Sequence, residues 1–318
     1  MVIGKDDELR WYHVQHTSLG FFVRPGDVFI SLLNRDVSLK PEKEGKKMKL
    51  KNVILLAGMM MTLTGCGTSS NTDADLLSQI VSTKTLKVGT EATYPPFEYT
   101  DTDGNILGFD VEIVKLVEAK IEATYNVDIN VVWSNMAFDG LIGAIQSSKV
   151  DLVAAAMTVN EERAKSVSFS DTYFTTETAV VVLEDNTTIT SMDALKAAKC
   201  GSQLGTEQAN YIQEEGWNSA NQIITSVADL TTSLLAGKIE ALVVDKAVGE
   251  SIIAKNTGLK LATGISFDDT AAFGLATSLE NSASFVSLIN EALAENIENG
   301  TITNLYTAAC DAYASTAE

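Results

Sequence analysis

FDGLIGAIQSSKVDLVAAAMTVNEERAKSVSFSDTYF, residues 138–174, carries the reading of the fold. FDGLIGAIQSS spaces its apolar residues as a helix does, VDLVAAAM is a buried strand, and NEERAKSV opens another helix. Upstream, LKVGTEA and INVVW read as strands on either side of GFDVEIVKLVEAKI, which places Val111, Val114, Val117 and Ile121 at helical spacing. Downstream, AVVVLE, SMDALKAA, KCGSQLG, TEQANYIQEEG, QIITSV, DLTTSLLAGKI, EALVVD and KAVGESIIAKN again alternate strand with helix. The chain closes on a strand, AAFGLAT, and two helices, FVSLINEALAENIENG and TITNLYTAACDAY. Strands alternating with helices predict mostly parallel sheets with crossover helices, and about 240 folded residues in two α/β series predict two lobes. Open α/β sheets take ligands beyond the carboxyl ends of their strands, so a cleft between lobes is the expected site.

The amino end reads differently. In MKLKNVILLAGMMMTLTGC, residues 48–66, two lysines precede an 11-residue apolar run from Val53 to Leu63, and small residues lead to Cys66. This is the layout of a secretory signal, and the run is short of the roughly 20 residues a membrane-crossing helix needs. Leu63-Thr64-Gly65-Cys66 resembles a bacterial lipobox, which implies cleavage before Cys66 and lipid attachment to its thiol; Thr64 is less common there than Ala or Ser. The alternative is a buried amphipathic helix, which a run without a polar face before Thr62 suits poorly. Residues 1–47 are expected to be an extension outside the working protein, since a signal belongs at the start of a chain. Lys43-Glu44-Gly45 can be encoded as a ribosome-binding sequence just before Met48; the alternative is a genuine amino-terminal extension. GTSSNTDAD, residues 67–75, reads as a flexible tether following Cys66.

Charge and composition exclude several function classes. The 318 residues hold 42 acids against 23 bases, a net charge of −19, and nucleic acid needs clustered Lys and Arg. Residues 1–65 hold 10 of those bases and 7 of the acids, so the remainder carries 13 against 35, a net of −22. His13 and His16 are the only histidines, and beyond residue 65 Arg163 is the only arginine. Cys66, Cys200 and Cys310 are too scattered for a zinc site, and whether the last two are bridged is open. No nucleophile elbow, phosphate loop or dinucleotide fingerprint occurs; the glycines at 104 and 108 read as a turn. No catalytic residue, metal or cofactor is expected.

Five places carry binding chemistry. Arg163, just after a buried strand, suits a carboxylate clasp; the alternative is a solvated pair with Glu161 or Glu162. Asp245 ends EALVVD, a strand apolar on both faces, where it can accept from an ammonium group or simply cap the next helix. Thr158 either forms a capping box with Glu161 or turns its hydroxyl to a ligand. Gly205-Thr206-Glu207 joins strand to helix, an amide-rich terminus that can hold a carboxylate, or an ordinary loop. Tyr94, in a loop stiffened by Pro95 and Pro96, offers an aromatic face for a ligand or for the core.

The ordered combination VGTEATYPPFEY, GFDVEIVKLV, residues 138–174, GSQLGT, AGKIEALVVD and NGTITNLY resembles the bacterial solute-binding proteins for polar amino acids that feed ABC transporters. The resemblance spans about 86–306, and its most specific segment runs from VDL to FSDTYF. It implies a type II periplasmic-binding-protein-like fold, with lobe 1 formed by 76–176 and 273–318 and lobe 2 by 177–272. Closure would hinge near Thr175–Val180 and Asp269–Phe273. It implies that Arg163 and the backbone amides of Ala156 and Glu207 hold a ligand carboxylate. The Ala155 carbonyl, the Thr158 hydroxyl and Asp245 would hold its ammonium. Tyr94 and Phe138 would sandwich the side chain, whose far end would meet Glu91, Gln203 and Gln208. Glu207 departs from the small residues common at its position, and the closing TAACDAY lacks the family's aromatic ending. The implied protein is a monomeric, lipid-anchored, extracytoplasmic receptor that delivers an L-amino acid to a permease. An acid at Glu91 favours a cationic side chain such as that of arginine, although Gln203 and Ala155 would equally tolerate glutamine or cystine. The alternatives on the same fold are a dehydratase acting on prephenate or arogenate, and the ligand-sensing ectodomain of a receptor.

Overall fold

The computed structural model describes residues 75–214 and 216–316, together with two short strands, Arg10–Trp11 and Phe22–Val23, that pair antiparallel. The chain divides into two compact units, Met1–Thr68 and Ser69–Glu318. The signal segment, Cys66 and the tether as far as residue 74 lie outside the described residues. Among the described residues no helix is long and apolar enough to cross a membrane.

The second unit opens on α1 (Leu76–Thr83), whose Asp75 carboxylate accepts from the Ser78 amide and so caps the helix. Then follow β1 (Thr85–Thr90), the small antiparallel strands β2 (Thr93–Tyr94), β3 (Glu98–Thr100) and β4 (Ile106–Leu107), and α2 (Phe109–Tyr125). After them come β5 (Asn130–Asn135), α3 (Leu141–Gln146), β6 (Leu152–Val153), β7 (Val167–Phe169) and β8 (Phe174–Thr176). The middle of the unit holds β9 (Thr178–Leu183), α4 (Met192–Ala197), β10 (Cys200–Gln203), α5 (Glu207–Tyr211), β11 (Gln222–Ile224) and α6 (Val227–Leu235). It continues with β12 (Ala241–Asp245), α7 (Lys246–Lys255) and β13 (Leu259–Leu261). The end holds β14 (Ala271–Phe273), β15 (Ala276–Ser278), α8 (Ala283–Glu298) and α9 (Thr301–Ser315).

Two five-stranded sheets result, ordered β5-β1-β6-β15-β7 and β11-β10-β12-β9-β13. The α/β, two-lobed class matches expectation, but the sheets are mixed rather than mostly parallel. In the first, β1 pairs parallel with β5 and β6, whereas β15 pairs antiparallel with β6 and β7. In the second, β10 pairs parallel with β11 and β12, whereas β9 pairs antiparallel with β12 and β13. The parallel pairs come from strand–helix–strand crossovers. The antiparallel strands β9 and β15 are those that directly follow the linking strands, so they enter their sheets from the opposite end.

The expected single strand AAFGLAT is split in two. Its first half, β14, pairs antiparallel with β8, Thr175 opposite Ala272, and its second half, β15, joins the first sheet. Phe174 and Phe273 from this linking pair pack with Phe97, Phe109 and Tyr306, the Phe174–Tyr306 ring centroids standing 4.6 Å apart. The aromatic cluster ties the linking strands to α2 and α9, and it supplies the packing for the last helix despite the missing aromatic ending. Cys200 and Cys310 are both free thiols.

Candidate functional site

The helix expected from NEERAKSV is only one 3-10 turn, Arg163–Lys165. Its start is not capped by Thr158. Instead Asn160 Oδ1 accepts from the Arg163 amide at 2.7 Å, because a side chain three residues back reaches that donor directly. The turn aims Arg163 inward, 9% exposed, where Nη1 donates to the Thr158 carbonyl at 2.7 Å and Nη2 to the Gly205 carbonyl at 3.0 Å. The guanidinium carbon lies 5.2 Å from the centre of the Phe138 ring. The solvated alternative is not what the structure shows: Glu162 pairs with Lys165 at 2.8 Å. Burial lowers the Arg163 pKa, opposed by the negative charges of Glu207 and Asp245, and an arginine so placed stays cationic.

Asp245 is the last residue of β12, a strand buried along its whole length. Its carboxylate makes no cap bond to α7. It accepts from the Tyr94 hydroxyl at 2.5 Å and from Gln208 Nε2 at 3.1 Å. Burial pushes its pKa up to about 7 despite those bonds, with the nearby Asp269 charge adding to the shift and the Arg163 charge opposing it.

From β10 the chain turns through Gly205, whose φ of +86° suits glycine, and whose missing Cβ would stand 3.0 Å from Asp139 Cβ. Thr206 then caps α5, its hydroxyl accepting from the Ala209 amide at 3.1 Å and donating to the Gln203 carbonyl at 2.7 Å. Glu207 faces Asn160, whose Nδ2 donates to Glu207 Oε1, so this carboxylate bonds across the cleft. Gln203 Nε2 donates to Glu91 Oε2 at 2.7 Å, and Thr93 donates to the other Glu91 oxygen at 2.7 Å. Burial raises the Glu91 pKa against those two bonds.

Tyr94, Phe138, Ala155, Ala156, Thr158, Arg163, Gln203, Thr206, Gln208 and Asp245 line one narrow cleft with a free volume of only about 10 Å³. Glu91 and Glu207 are not on that wall; they bond to Gln203 and Asn160. One expected donor is engaged elsewhere. The Ala156 amide donates to Asp110 Oδ2 at 2.8 Å, because Ala156 has a φ of +44° that turns its N–H away from the cleft into the first lobe. Thr158 is bridged to Phe273 through bonds donated by the Val159 and Gly274 amides, so its own backbone faces the opposite side, where its carbonyl takes Arg163. Asn160 and Asp110 were not candidates in the sequence. Asp110 had a legible signal, since Asp110, Val114, Val117 and Ile121 fall on one buried helical stripe and a charge on such a stripe is anomalous.

A two-lobed α/β fold whose cleft presents a buried guanidinium and a buried carboxylate has the groups to hold a small charged molecule. Residues 86–309 match the bacterial extracellular solute-binding proteins, family 3, and the chain belongs to that family. It is 32% identical over 259 residues to the arginine-binding extracellular protein ArtP of Bacillus subtilis, covering 80% of this chain and 94% of that protein. It is 31% identical over 214 residues to a "Probable histidine-binding protein" of Campylobacter jejuni, covering 66% of this chain and 79% of that protein. A solved structure titled as an ancestral arginine-binding protein bound to arginine superposes with a TM-score of 0.63 at 34% identity, covering 71% of this chain and 97% of that one. These relatives are named binding proteins, and this chain is a solute-binding protein rather than an enzyme.

Proposed function

We propose that the protein captures an L-amino acid between its lobes and hands it to the permease of an ABC transporter. The observation that carries this reading is the pairing of Arg163 with Asp245: two opposite charges, both withdrawn from solvent, lining one cleft. An α-amino acid presents the matching pair, a carboxylate for the guanidinium and an ammonium for the carboxylate. Thr158 and Ala155 add cleft-wall groups beside them, Tyr94 and Phe138 supply aromatic surface, and Thr206 and Glu207 form the opposing helix start. Closure hinges at the linking strands β8 and β14, between lobes bounded as 76–176 with 273–318 and 177–272.

The favoured ligand class is cationic. Glu91 is a buried carboxylate met by no basic side chain among the described ion pairs, and Gln203 joins it to the cleft wall. Thermal-shift screening of the amino acids plus ornithine and cystine tests the reading. Stabilisation by arginine, lysine or ornithine is expected, and no shift with any amino acid overturns it. Glu91→Gln then lowers affinity for L-arginine by roughly tenfold while leaving glutamine binding within about threefold, as removal of a buried negative charge one hydrogen bond behind the cleft wall requires.

Affinity also depends on pH through Asp245. An ammonium group favours the ionised carboxylate, so the bound state has the lower Asp245 pKa, and affinity is full above the free-state value and lost as pH falls below it. With that value at about 7, the dissociation constant rises by up to about tenfold per pH unit below neutrality. Calorimetry across pH checks this, and a flat profile excludes Asp245 as the ammonium acceptor.

The working protein begins at Cys66, lipid-anchored on the extracytoplasmic side and monomeric. Incorporation of labelled fatty acid that is lost in Cys66→Ala supports the anchor, and a tryptic peptide from residues 1–47 in the expressed protein refutes the processed start.

A further inference from the structure

Behind the cleft wall two carboxyl groups, Glu98 on β3 and Asp110 in the first turn of α2, are buried at 1% and 0% exposure. Their approach is built into the backbone. The Phe109 amide donates to the Pro96 carbonyl and the Asp110 amide to the Phe97 carbonyl, each at 2.9 Å, which lays the start of α2 against the chain entering β3. Asp110 Oδ2 accepts from the Ala156 amide and from the Tyr173 hydroxyl, each at 2.8 Å. Asp110 Oδ1 and both oxygens of Glu98 are buried without a hydrogen-bond donor, and the backbone bonds of Phe109 and Asp110 set the two carboxyls next to each other.

An ionised carboxylate only accepts, so two neighbouring ionised groups would leave orphan oxygens in a site closed to bulk solvent. Neither group belongs to an ion pair among the described residues. The remaining titratable groups that face them, Glu91, Tyr94 and Tyr173, are acidic and bring no positive charge. Among the described residues, no group of three or more His, Cys, Asp or Glu side chains is placed to hold a metal. One proton resolves the contact as O–H···O⁻. Asp110 is the better anion, because it has two donors and sits at the amino end of a 17-residue helix, whereas Glu98 has neither.

We propose that Glu98 carries a proton shared with Asp110 and acts as a positioning residue, its O–H fixing the Asp110 carboxylate that in turn holds Ala156 and the cleft wall. Ala156 needs holding, since a φ of +44° is unfavourable for alanine and its amide is bonded to Asp110. The electrostatics agree: burial, with Asp110 and Glu91 adding, holds Glu98 well above the usual carboxylate range, and burial raises Asp110 to about 6 against its two bonds.

Glu98→Gln, which replaces the acid with a neutral donor of the same shape, tests it. A carboxylic-acid carbonyl stretch is expected in the infrared spectrum of the wild type at about pH 8 and is lost in the variant, well above ordinary carboxylate titration. A folded-state pKa raised above the unfolded one gives stability that is present at low pH and lost as pH rises, whereas glutamine loses nothing. The melting temperature of Glu98→Gln relative to wild type therefore climbs from about pH 5 to about pH 8. Hydrogen exchange at the Ala156 amide should stay as in wild type in Glu98→Gln and quicken at least about tenfold in Glu98→Ala, the donor-free variant. An acid band of undiminished intensity in Glu98→Gln, or a pH-independent drop in its melting temperature, overturns the shared proton. Ala156 exchange as fast in Glu98→Gln as in an unfolded peptide overturns the positioning role, and both Gln arms decide even if Glu98→Ala does not fold.

Discussion

Arg163→Ala is expected to abolish solute binding at ordinary ligand concentrations while leaving the fold in place. Truncating one partner of a buried, hydrogen-bonded charge pair costs about 2–5 kcal/mol, which is roughly 30-fold to several thousand-fold in affinity. The fold survives because what the guanidinium bonds, the Thr158 and Gly205 carbonyls, lie at the cleft where water can replace it, and its own turn is held by Asn160. Calorimetry with the amino acid found by screening reads the loss, and circular dichroism checks the fold. An unchanged affinity would sink the assignment of Arg163 as the carboxylate clasp. Arg163→Lys should recover only part of the affinity, since an ammonium cannot reproduce the two-pronged geometry.

Gly108→Ala should strike the fold itself. Gly108 has a φ of +130°, and a Cβ there would stand 2.2 Å from the Phe97 carbonyl oxygen and 2.9 Å from the Glu98 nitrogen. Both are backbone atoms, so the clash is relieved only by moving β3 away from α2, which breaks the Phe109 and Asp110 amide bonds and separates Asp110 from Glu98. A substitution combining backbone clash with strain falls in the class costing more than about 4 kcal/mol, a drop in melting temperature on the order of 10 °C for a domain of this size. Thermal unfolding of the variant measures it, and a shift of a degree or two would show that the contact relaxes freely. What reads in the sequence as a simple turn is the point at which strand and helix touch.

Most of the second unit was legible because its elements announce themselves locally. The stripe Val111, Val114, Val117, Ile121 predicts α2, and the doubly apolar ALVV predicts β12 as a central strand. Element lengths in the loops were less legible. NEERAKSV has the composition of a helix, yet only Arg163–Lys165 turns, since Val167 is drawn into β7 two residues later. Strand direction was hidden for a different reason: whether β9 and β15 run with or against their neighbours depends on where the linking strands enter each sheet.

Arg163 and Asp245 were singled out by the sequence because a lone arginine in an acidic chain and a carboxylate ending an apolar strand are each conspicuous by composition and position. Their type and place along the chain follow from local pattern. That they line one cleft, that Glu207 bonds Asn160 across it, and that the Ala156 amide is spent on Asp110 are decisions of tertiary structure. Each joins residues dozens of positions apart, Asp110 to Ala156 by 46 and Tyr94 to Asp245 by 151, and no local pattern encodes a contact at that range. Local pattern is enough for the class of fold and for the charges available to the site. The folded chain decided which hydrogen bonds those groups had left to give, because burial removes water as the partner of last resort and forces every polar group to find another.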